Sequence, residues 1–446
     1  MELREKLRYA AGLAAEAPQS RPIVVSRNWD ALPDVDLQCV ETALGDVYVS
    51  EKRWPLEHCH GHRTLCEALE IDSPAVARLA PGLRSEDIAR TVFVDVETTG
   101  LAGGTGTLAF LVGLGAFDGD DFLVRQLFLA GPSGEEAMLA ATIEALSAAR
   151  ALVSFNGRCF DLPLLETRFT LNRLRPPSPA LPHLDLLYPT RRLYRRRLES
   201  CRLAHLETAL LGLEREDDVP GWLIPSLYFE YLRFGRAAPL EAVFRHNALD
   251  ILSMVTLLAH LAHVIGGKGA RDAADCLALA RWDEAEGRAS EAAILYEAAL
   301  ERDGDEHLRM HAARALTRLY RREARWADMA AILESVTNGR ATAEHRLEAL
   351  VALAKLEEHR QRRFSEAESL TRQALALSEA REARGHPCDG PFSREALLHR
   401  LNRLQRRRAG RHACSRLGRP SVPAAILTAP SAPNLRASRR ETAETP

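Results

Sequence analysis

The stretch Val92-Phe93-Val94-Asp95-Val96-Glu97-Thr98-Thr99-Gly100-Leu101 runs from apolar and β-branched residues into two carboxylates and a Thr-Thr-Gly turn. Such a run predicts a buried strand that ends in a site. Asp95 and Glu97 lie two apart, so on extended backbone their side chains leave the same face and can converge on one point. Two unpaired carboxylates at the end of an apolar strand repel each other and lose hydration. A hard divalent cation with oxygen ligands removes both problems. The same residues also read as a solvated turn, and this stretch alone does not separate the two.

Around that strand the chain organises into a recognisable class. From about 91 to 262, apolar runs alternate with amphipathic stretches, the pattern of an α/β domain. Leu108 to Leu114 and Phe122 to Leu129 flank the turn-like Asp118-Gly119-Asp120-Asp121 and predict a meander with the opening strand. Ser133-Gly134-Glu135-Glu136 starts a helix whose apolar positions recur to Leu146, the acidic residues favouring the helix dipole. Ala151 to Phe155 predicts a short strand that Asn156-Gly157 ends before a helix opens at Phe160-Asp161.

The flanks read differently. Residues 1–88 form an extension of unclear fold, with a turn and strand over 41–49. The cluster His58-Cys59-His60-Gly61-His62 holds zinc-type ligands, but they are adjacent rather than spaced along a chelating turn, and no second pair follows at zinc-finger spacing. A loop packed against the following domain is the expectation. Past Gly266-Gly267-Lys268-Gly269 the chain turns to Ala, Leu, Arg and Glu at helical spacing. Gly287-Arg288, Ala324-Arg325 and Arg362-Arg363 recur every 37 or 38 residues between amphipathic helices, which resembles tetratricopeptide repeats with a slightly long period. The expected organisation is therefore an extension over 1–88, an α/β domain over 89–264, helical-hairpin repeats over 272–404 and a disordered basic tail over 405–446.

A net charge of -2 gives no global pull toward nucleic acid or membrane, so any polyanion site must be local. The eight cysteines form no CxxC pair, and no secretory segment precedes them; reduced thiols in a cytoplasmic protein are the expectation. No apolar run approaches the roughly 20 residues of a membrane span.

Further acidic residues fall where sites form. Asp161 sits at a strand-to-helix junction, a usual place for sites in parallel sheets, although helix capping would also put an aspartate there. His246 and Asp250 are four apart in an apolar helical stretch, so one turn places both on one face. Asp185 is a reserve carboxylate. Arg191, Arg192, Arg195, Arg196 and Arg197 form a basic run close in sequence to these acids, which suits a phosphate backbone as well as a solvated helix face. Trp222 and Tyr228 read as core aromatics or as base-stacking contacts.

Three motifs in order, Asp95-Val96-Glu97-Thr98-Thr99-Gly100-Leu101, Ser154-Phe155-Asn156-Gly157-Arg158-Cys159-Phe160-Asp161 and His246-Asn247-Ala248-Leu249-Asp250, resemble the YprB-like ribonuclease H-like exonucleases of the DEDD 3'-5' exonuclease superfamily. The resemblance covers roughly residues 90 to 262. It implies a ribonuclease H-like fold in which Asp95, Glu97, Asp161 and Asp250 hold two divalent cations, Mg2+ or Mn2+. It also implies that His246 takes a proton from the attacking water, with Thr98, Thr99, Gly100 and Leu101 beside the substrate's terminal nucleotide and Asn156 positioning the substrate or the turn. Family members with a catalytic histidine usually place it five residues before the last aspartate; here the spacing is four. The expected activity is metal-dependent hydrolysis of single-stranded nucleic acid from a 3' end, with a protein partner on the repeats. The alternative is a nucleic-acid-binding scaffold without turnover.

Overall fold

The structure is a computed structural model that describes residues 32, 35–100, 105–175, 181–266, 272–302, 305–339 and 341–416, with side chains to 409. It divides into two compact units, the first ending at Leu319 and the second beginning at Tyr320.

The first unit is built on a seven-stranded sheet in the order β1-β2-β7-β6-β5-β8-β9. Its strands are β1 (Leu37–Thr42), β2 (Gly45–Pro55), β5 (Thr91–Thr98), β6 (Ala109–Asp118), β7 (Asp121–Phe128), β8 (Ala151–Ser154) and β9 (His183–Asp185). β5, β6 and β7 form the expected antiparallel meander, and β8 and β9 add to β5 in parallel. The residues before 89 do not stand apart. β2 pairs along β7 from Tyr48 to Pro55, so the extension completes the same sheet. Between β2 and β5, a hairpin of β3 (Cys59–His60) and β4 (Arg63–Thr64) leads into α1 (Ser73–Leu79) and α2 (Ser85–Ile88).

Helices cover both faces. α3 (Glu135–Ser147), α4 (Asp161–Leu171) and α7 (Ile224–Phe234) pack with Val92, Val94, Val96 and Phe110, whereas α8 (Leu240–Ile265) packs on the face that carries Phe93, Phe122 and Val153. Period-two alternation along β5 therefore puts Asp95 and Glu97 on the α8 side. Between these helices lie α5 (Leu187–Tyr194), α6 (Leu203–Leu206) and a π-helical turn, Glu207–Leu211.

α8 is the longest helix of this unit and corrects one expectation. An 18-residue window within it has mean hydropathy 1.8, long and apolar enough to cross a membrane, and 78% of that window is buried inside the protein. It is a core helix here, apolar nearly all round because the sheet packs on one side and α1 on another. Its approach to the sheet requires glycine. A Cβ on Gly113 would lie 2.2 Å from the Asn247 Oδ1, and one on Gly115 would lie 2.4 Å from Ile251 Cγ2. Gly113 is the cross-strand neighbour of Asp95, so the missing side chain brings α8 onto the acidic strand.

The helical region begins within the first unit, with α9 (Ala273–Ala285) and α10 (Ala289–Glu301), followed by α11 (Glu306–Arg322), α12 (Trp326–Asn338), α13 (Ala343–Leu356), α14 (Phe364–Glu382) and α15 (Arg394–Arg416). The sequence places a domain boundary at 264–272; across it α9 is tied to the sheet domain by a largely buried ion pair, Arg78 to Asp283 at 2.6 Å, and by a cation–π contact, Arg192 4.2 Å from the Trp282 ring. The repeated dipeptides have a structural origin. Gly287, Ala324 and Arg362 each adopt positive φ, at 79°, 57° and 56°, so the recurrence marks the left-handed turn between successive helices.

In the second unit α15 continues past residue 404, where a disordered tail was expected. Buried Glu358 accepts from Arg400 at 2.8 Å, Arg403 at 2.8 Å and Arg407 at 3.1 Å, and buried Glu368 accepts from Arg408 at 2.7 Å. Arginines that read as tail charge are the staples of this helix. Residues 417–446, the rest of the expected tail, lie outside the described residues.

Candidate active site

A cleft of about 790 Å³ opens where β5 and β8 end, lined by Asp95, Glu97, Thr98, Gly100, Asn156, Phe160 and Asp161 among others. Three of the four predicted carboxylates thus share one cavity. Asp250 and His246 do not line it; they face Asp95 and Glu97 from α8.

The positive charges near the cleft carboxylates, His246 for Asp95 and Glu97 and Arg215 for Asp95, offset only part of the effect of burial and mutual repulsion. Burial, and then repulsion from Asp250, push Asp95 up to about 7. Burial and repulsion from Asp95 likewise hold Glu97 and Asp161 well above the usual carboxylate range. Asp95 has one neutral partner, since the Asn247 Nδ2 donates to its Oδ2 at 2.7 Å. Asn247 is fully buried and also accepts from the Gln126 Nε2 at 2.8 Å, so its amide orientation is fixed from both ends.

Asp250 is compensated differently. The Arg215 guanidinium, in the loop between the π-helical turn and α7, bonds to Asp250 and Glu207 and lies 3.1 Å from Asp218. Burial alone would lower its pKa, but Asp250 and Glu207 outweigh that and raise it, so Arg215 is a permanent cation. Asp218 takes the other end of the dyad on α8: its Oδ1 lies 2.8 Å from His246 Nδ1. A carboxylate can only accept, so Nδ1 carries the proton and Nε2 is left facing Asp250 Oδ2 at 3.8 Å. Burial works against a charged imidazole here, yet Asp218, Asp250 and Glu97 together raise His246 to about 9.

The supports of this arrangement reach back to the histidine cluster before α1. His60 is buried and hydrogen-bonds Ser253 of α8 at 2.7 Å; burial, and then Arg215 and His58, lower its pKa to about 4, so it is neutral. Gly61, at φ 70°, packs on the Leu211 carbonyl, and His62 N donates to the same oxygen at 2.7 Å. This bears out a loop packed against the domain: the cluster braces the π-helical turn from which Glu207 and Arg215 follow. Among the described residues no group of three or more His, Cys, Asp or Glu side chains surrounds one metal position already.

The remaining candidates separate into two groups. Thr98, Gly100 and Asn156 line the cleft, whereas Thr99 closes its loop through bonds with Leu108, its Oγ1 accepting from Leu108 N at 2.9 Å. Leu101 lies outside the described residues. Asp185 is a backbone anchor: its carboxylate accepts from the N–H groups of Asn156, Arg158 and Leu187 at 2.7, 3.1 and 3.1 Å. That cradle holds Asn156 at φ 67°, a left-handed conformation that asparagine tolerates. Tyr228 is fully buried, stacked 4.1 Å from Phe110 with its hydroxyl on the Leu129 carbonyl, and is a core residue. Trp222 is half-buried beside the cleft-lining Gly221. Sequence reasoning passed over Arg215 and Asp218; the charged run Glu214-Arg215-Glu216-Asp217-Asp218 is the one signal that could have found them.

Residues 92–262 match the family model of the RNase H superfamily. The matched span contains every strand of the parallel half and all of the cleft carboxylates, and the RNase H match supports a nuclease. Over 369 residues the chain is 29% identical to the uncharacterized protein YprB of Bacillus subtilis, an alignment covering 80% of this chain and 86% of that protein. The similarity thus runs well beyond the length of the 92–262 match.

Proposed function

We propose that this chain is a cytoplasmic metal-dependent phosphodiester hydrolase of the DEDD type, acting as a 3'-5' exonuclease on single-stranded nucleic acid. One observation carries the reading: Asp95, Glu97 and Asp161 line a single cleft with burial and mutual repulsion outweighing the positive charge near them, in a domain that matches the RNase H superfamily. Hard oxygen donors that burial and mutual repulsion hold near neutrality are a donor set suited to Mg2+ or Mn2+. Asp250, with one oxygen on Arg215, completes the four proposed ligands of two cations. Bound there, the cations would supply Lewis-acid activation of water and neutralise charge at the scissile phosphate.

The chain's own residues do the rest. Asn247 fixes the Asp95 carboxylate, and Asp218 fixes the His246 ring with Nε2 toward the acids. Without metal the acids hold His246 as an imidazolium; cations bound at those acids would remove that support, and the Nε2 freed of its proton is the atom proposed to take one from water. Thr98, Gly100 and Asn156 border the space for a terminal nucleotide, and the cleft has the volume of a small-ligand pocket, which suits a chain end better than an unbroken duplex. The helical hairpins, which in sequence resemble tetratricopeptide repeats, are the proposed docking place for a protein partner.

Digestion of a 5'-labelled oligonucleotide with Mg2+ or Mn2+ tests the reading. The expected result is a ladder shortening from the 3' end that Asp95→Asn abolishes and chelation stops. No hydrolysis, or hydrolysis that survives the substitution, sinks it, and tight binding without cleavage would favour the scaffold instead.

A further inference from the structure

The basic run after β9 is divided by the fold. Arg192 lies 3.2 Å from the Trp282 carbonyl and over its ring, and Arg197 pairs with Asp272 and Asp275. These two hold α9 in place. Tyr188, Arg191 and Arg195 are spaced i, i+3, i+7, so they share one stripe along α5 and its C-cap, and all three are exposed, Tyr188 at 47%.

That stripe is continuous with the cleft. Cys159 and Phe160 line the cavity, and Phe160 is 57% exposed at its lip. Cys159 Sγ lies 3.6 Å from the Tyr188 hydroxyl, and the Arg158 guanidinium sits 5.4 Å from the Tyr188 ring. On the other side Arg202 lines the cavity directly. The nearby acids leave the stripe largely uncompensated: Asp185 is buried with its oxygens on backbone N–H groups, and exposed Glu199 lies in the turn beyond.

We infer that a single-stranded nucleic acid whose end lies in the cleft continues over Phe160 and Tyr188 and along Arg191 and Arg195. Exposed aromatics interleaved with arginines provide stacking faces and phosphate contacts without reading sequence. A purely acidic protein partner would use the arginines and gain little from the aromatic pair. The inference rests on the nuclease reading for what occupies the cleft, and it adds the path of the strand outside it.

The test is fluorescence anisotropy of the full chain, in chelator, with a single strand of about 20 nucleotides at several salt concentrations, a length beyond the roughly 4–16 nucleotides of a typical site. Arg191→Ala with Arg195→Ala is expected to reduce the slope of log affinity against log salt by about 1.4, two contacts at about 0.7 each. Tyr188→Ala should weaken binding by about tenfold with the slope unchanged. Mg2+-dependent hydrolysis of a dinucleotide, too short to reach the stripe, should be the same in these variants as in wild type. Arg192→Ala serves as the structural control, lowering the melting temperature without moving the slope. Unchanged affinity and slope in the double variant overturn the path, as does an equal loss on the dinucleotide, which would put these residues in the cleft. A wild type that cleaves neither substrate defeats the nuclease reading, and the anisotropy slopes then decide the path by themselves.

Discussion

Replacing Asp95 by asparagine should stabilise the metal-free protein while destroying its activity. A carboxyl held at about 7 instead of 3.8 corresponds to roughly 4 kcal/mol against the ionised form in the folded state. Water in the open cleft screens part of that, so the expected gain is about 2–4 kcal/mol. Asparagine keeps an oxygen where the Asn247 Nδ2 donates, so the hydrogen bond at 2.7 Å survives the exchange. The sign follows from linkage. Below about pH 4 Asp95 is neutral folded and unfolded, and the substitution gains nothing. Between about pH 4 and 7 the unfolded chain ionises while the folded one resists, so wild type loses stability and the variant does not. Above about pH 7 the difference is complete. Thermal unfolding in chelator at about pH 8 should show the variant melting ~4–8 °C higher, a difference that closes toward pH 4. Added Mg2+ should narrow the gap by stabilising wild type. A variant less stable than wild type at pH 8, or a gain independent of pH, would refute the claim that burial and repulsion outweigh the positive charge near Asp95.

Three further substitutions probe its surroundings. Arg215→Met leaves Glu207 and Asp250 buried without their counter-ion and should cost about 3–5 kcal/mol in chemical denaturation; a loss below about 1 kcal/mol would mean the guanidinium does not neutralise them. Asp218→Asn removes the charge that fixes the His246 Nδ1 proton, so steady-state kinetics should show kcat about 10–100-fold lower with KM nearly constant, and equal changes in both would argue for a substrate contact. Gly113→Val drives a Cβ to within 2.2 Å of Asn247 and 2.6 Å of Ile251; in chemical denaturation it should lower stability by at least the ~1–3 kcal/mol of an overpacked core and release Asn247 from Asp95. Normal stability there would show that α8 does not depend on a bare strand.

What was legible in the sequence is what periodicity and local chemistry encode. The β5–β6–β7 meander and the placement of Asp95, Glu97 and Asp161 at element ends follow from alternation and turn residues within short windows. The parts that escaped depend on contacts distant in sequence. β2 joins the sheet through β7, its paired residues 66 to 80 positions apart from Pro55↔Asp121 to Tyr48↔Phe128, a pairing that no local pattern announces. Arg215, Glu207 and Asp218 carry no local pattern that marks a site, and only burial against α8 makes them a fixed network. Arg407 and Arg408 looked like tail charge because their partners, Glu358 and Glu368, lie about 40 to 50 residues earlier in the chain.

The four-residue spacing of His246 and Asp250, one short of the spacing in the resembled exonucleases, becomes intelligible from helix phase and from the loop. At about 100° per residue, four residues leave some 40° between two side chains, and five leave about 140°. His246 therefore shares a stripe with Asp250, Nε2 to Oδ2 3.8 Å, and needs a second restraint from off the helix to set its ring plane. Asp218 provides it on Nδ1, with Arg215 3.4 Å from the same nitrogen. Position 245, which would restore the longer spacing, points elsewhere: Arg245 is exposed and its Nη2 donates to the Asp217 carbonyl at 2.5 Å. If the loop rather than the spacing places the imidazole, Arg245→His combined with His246→Ala should recover none of the turnover lost by His246→Ala alone, a loss expected at about 10²–10⁴-fold. Recovery in the double variant would show that the 214–223 loop is dispensable for positioning, and that Asp218 serves stability instead.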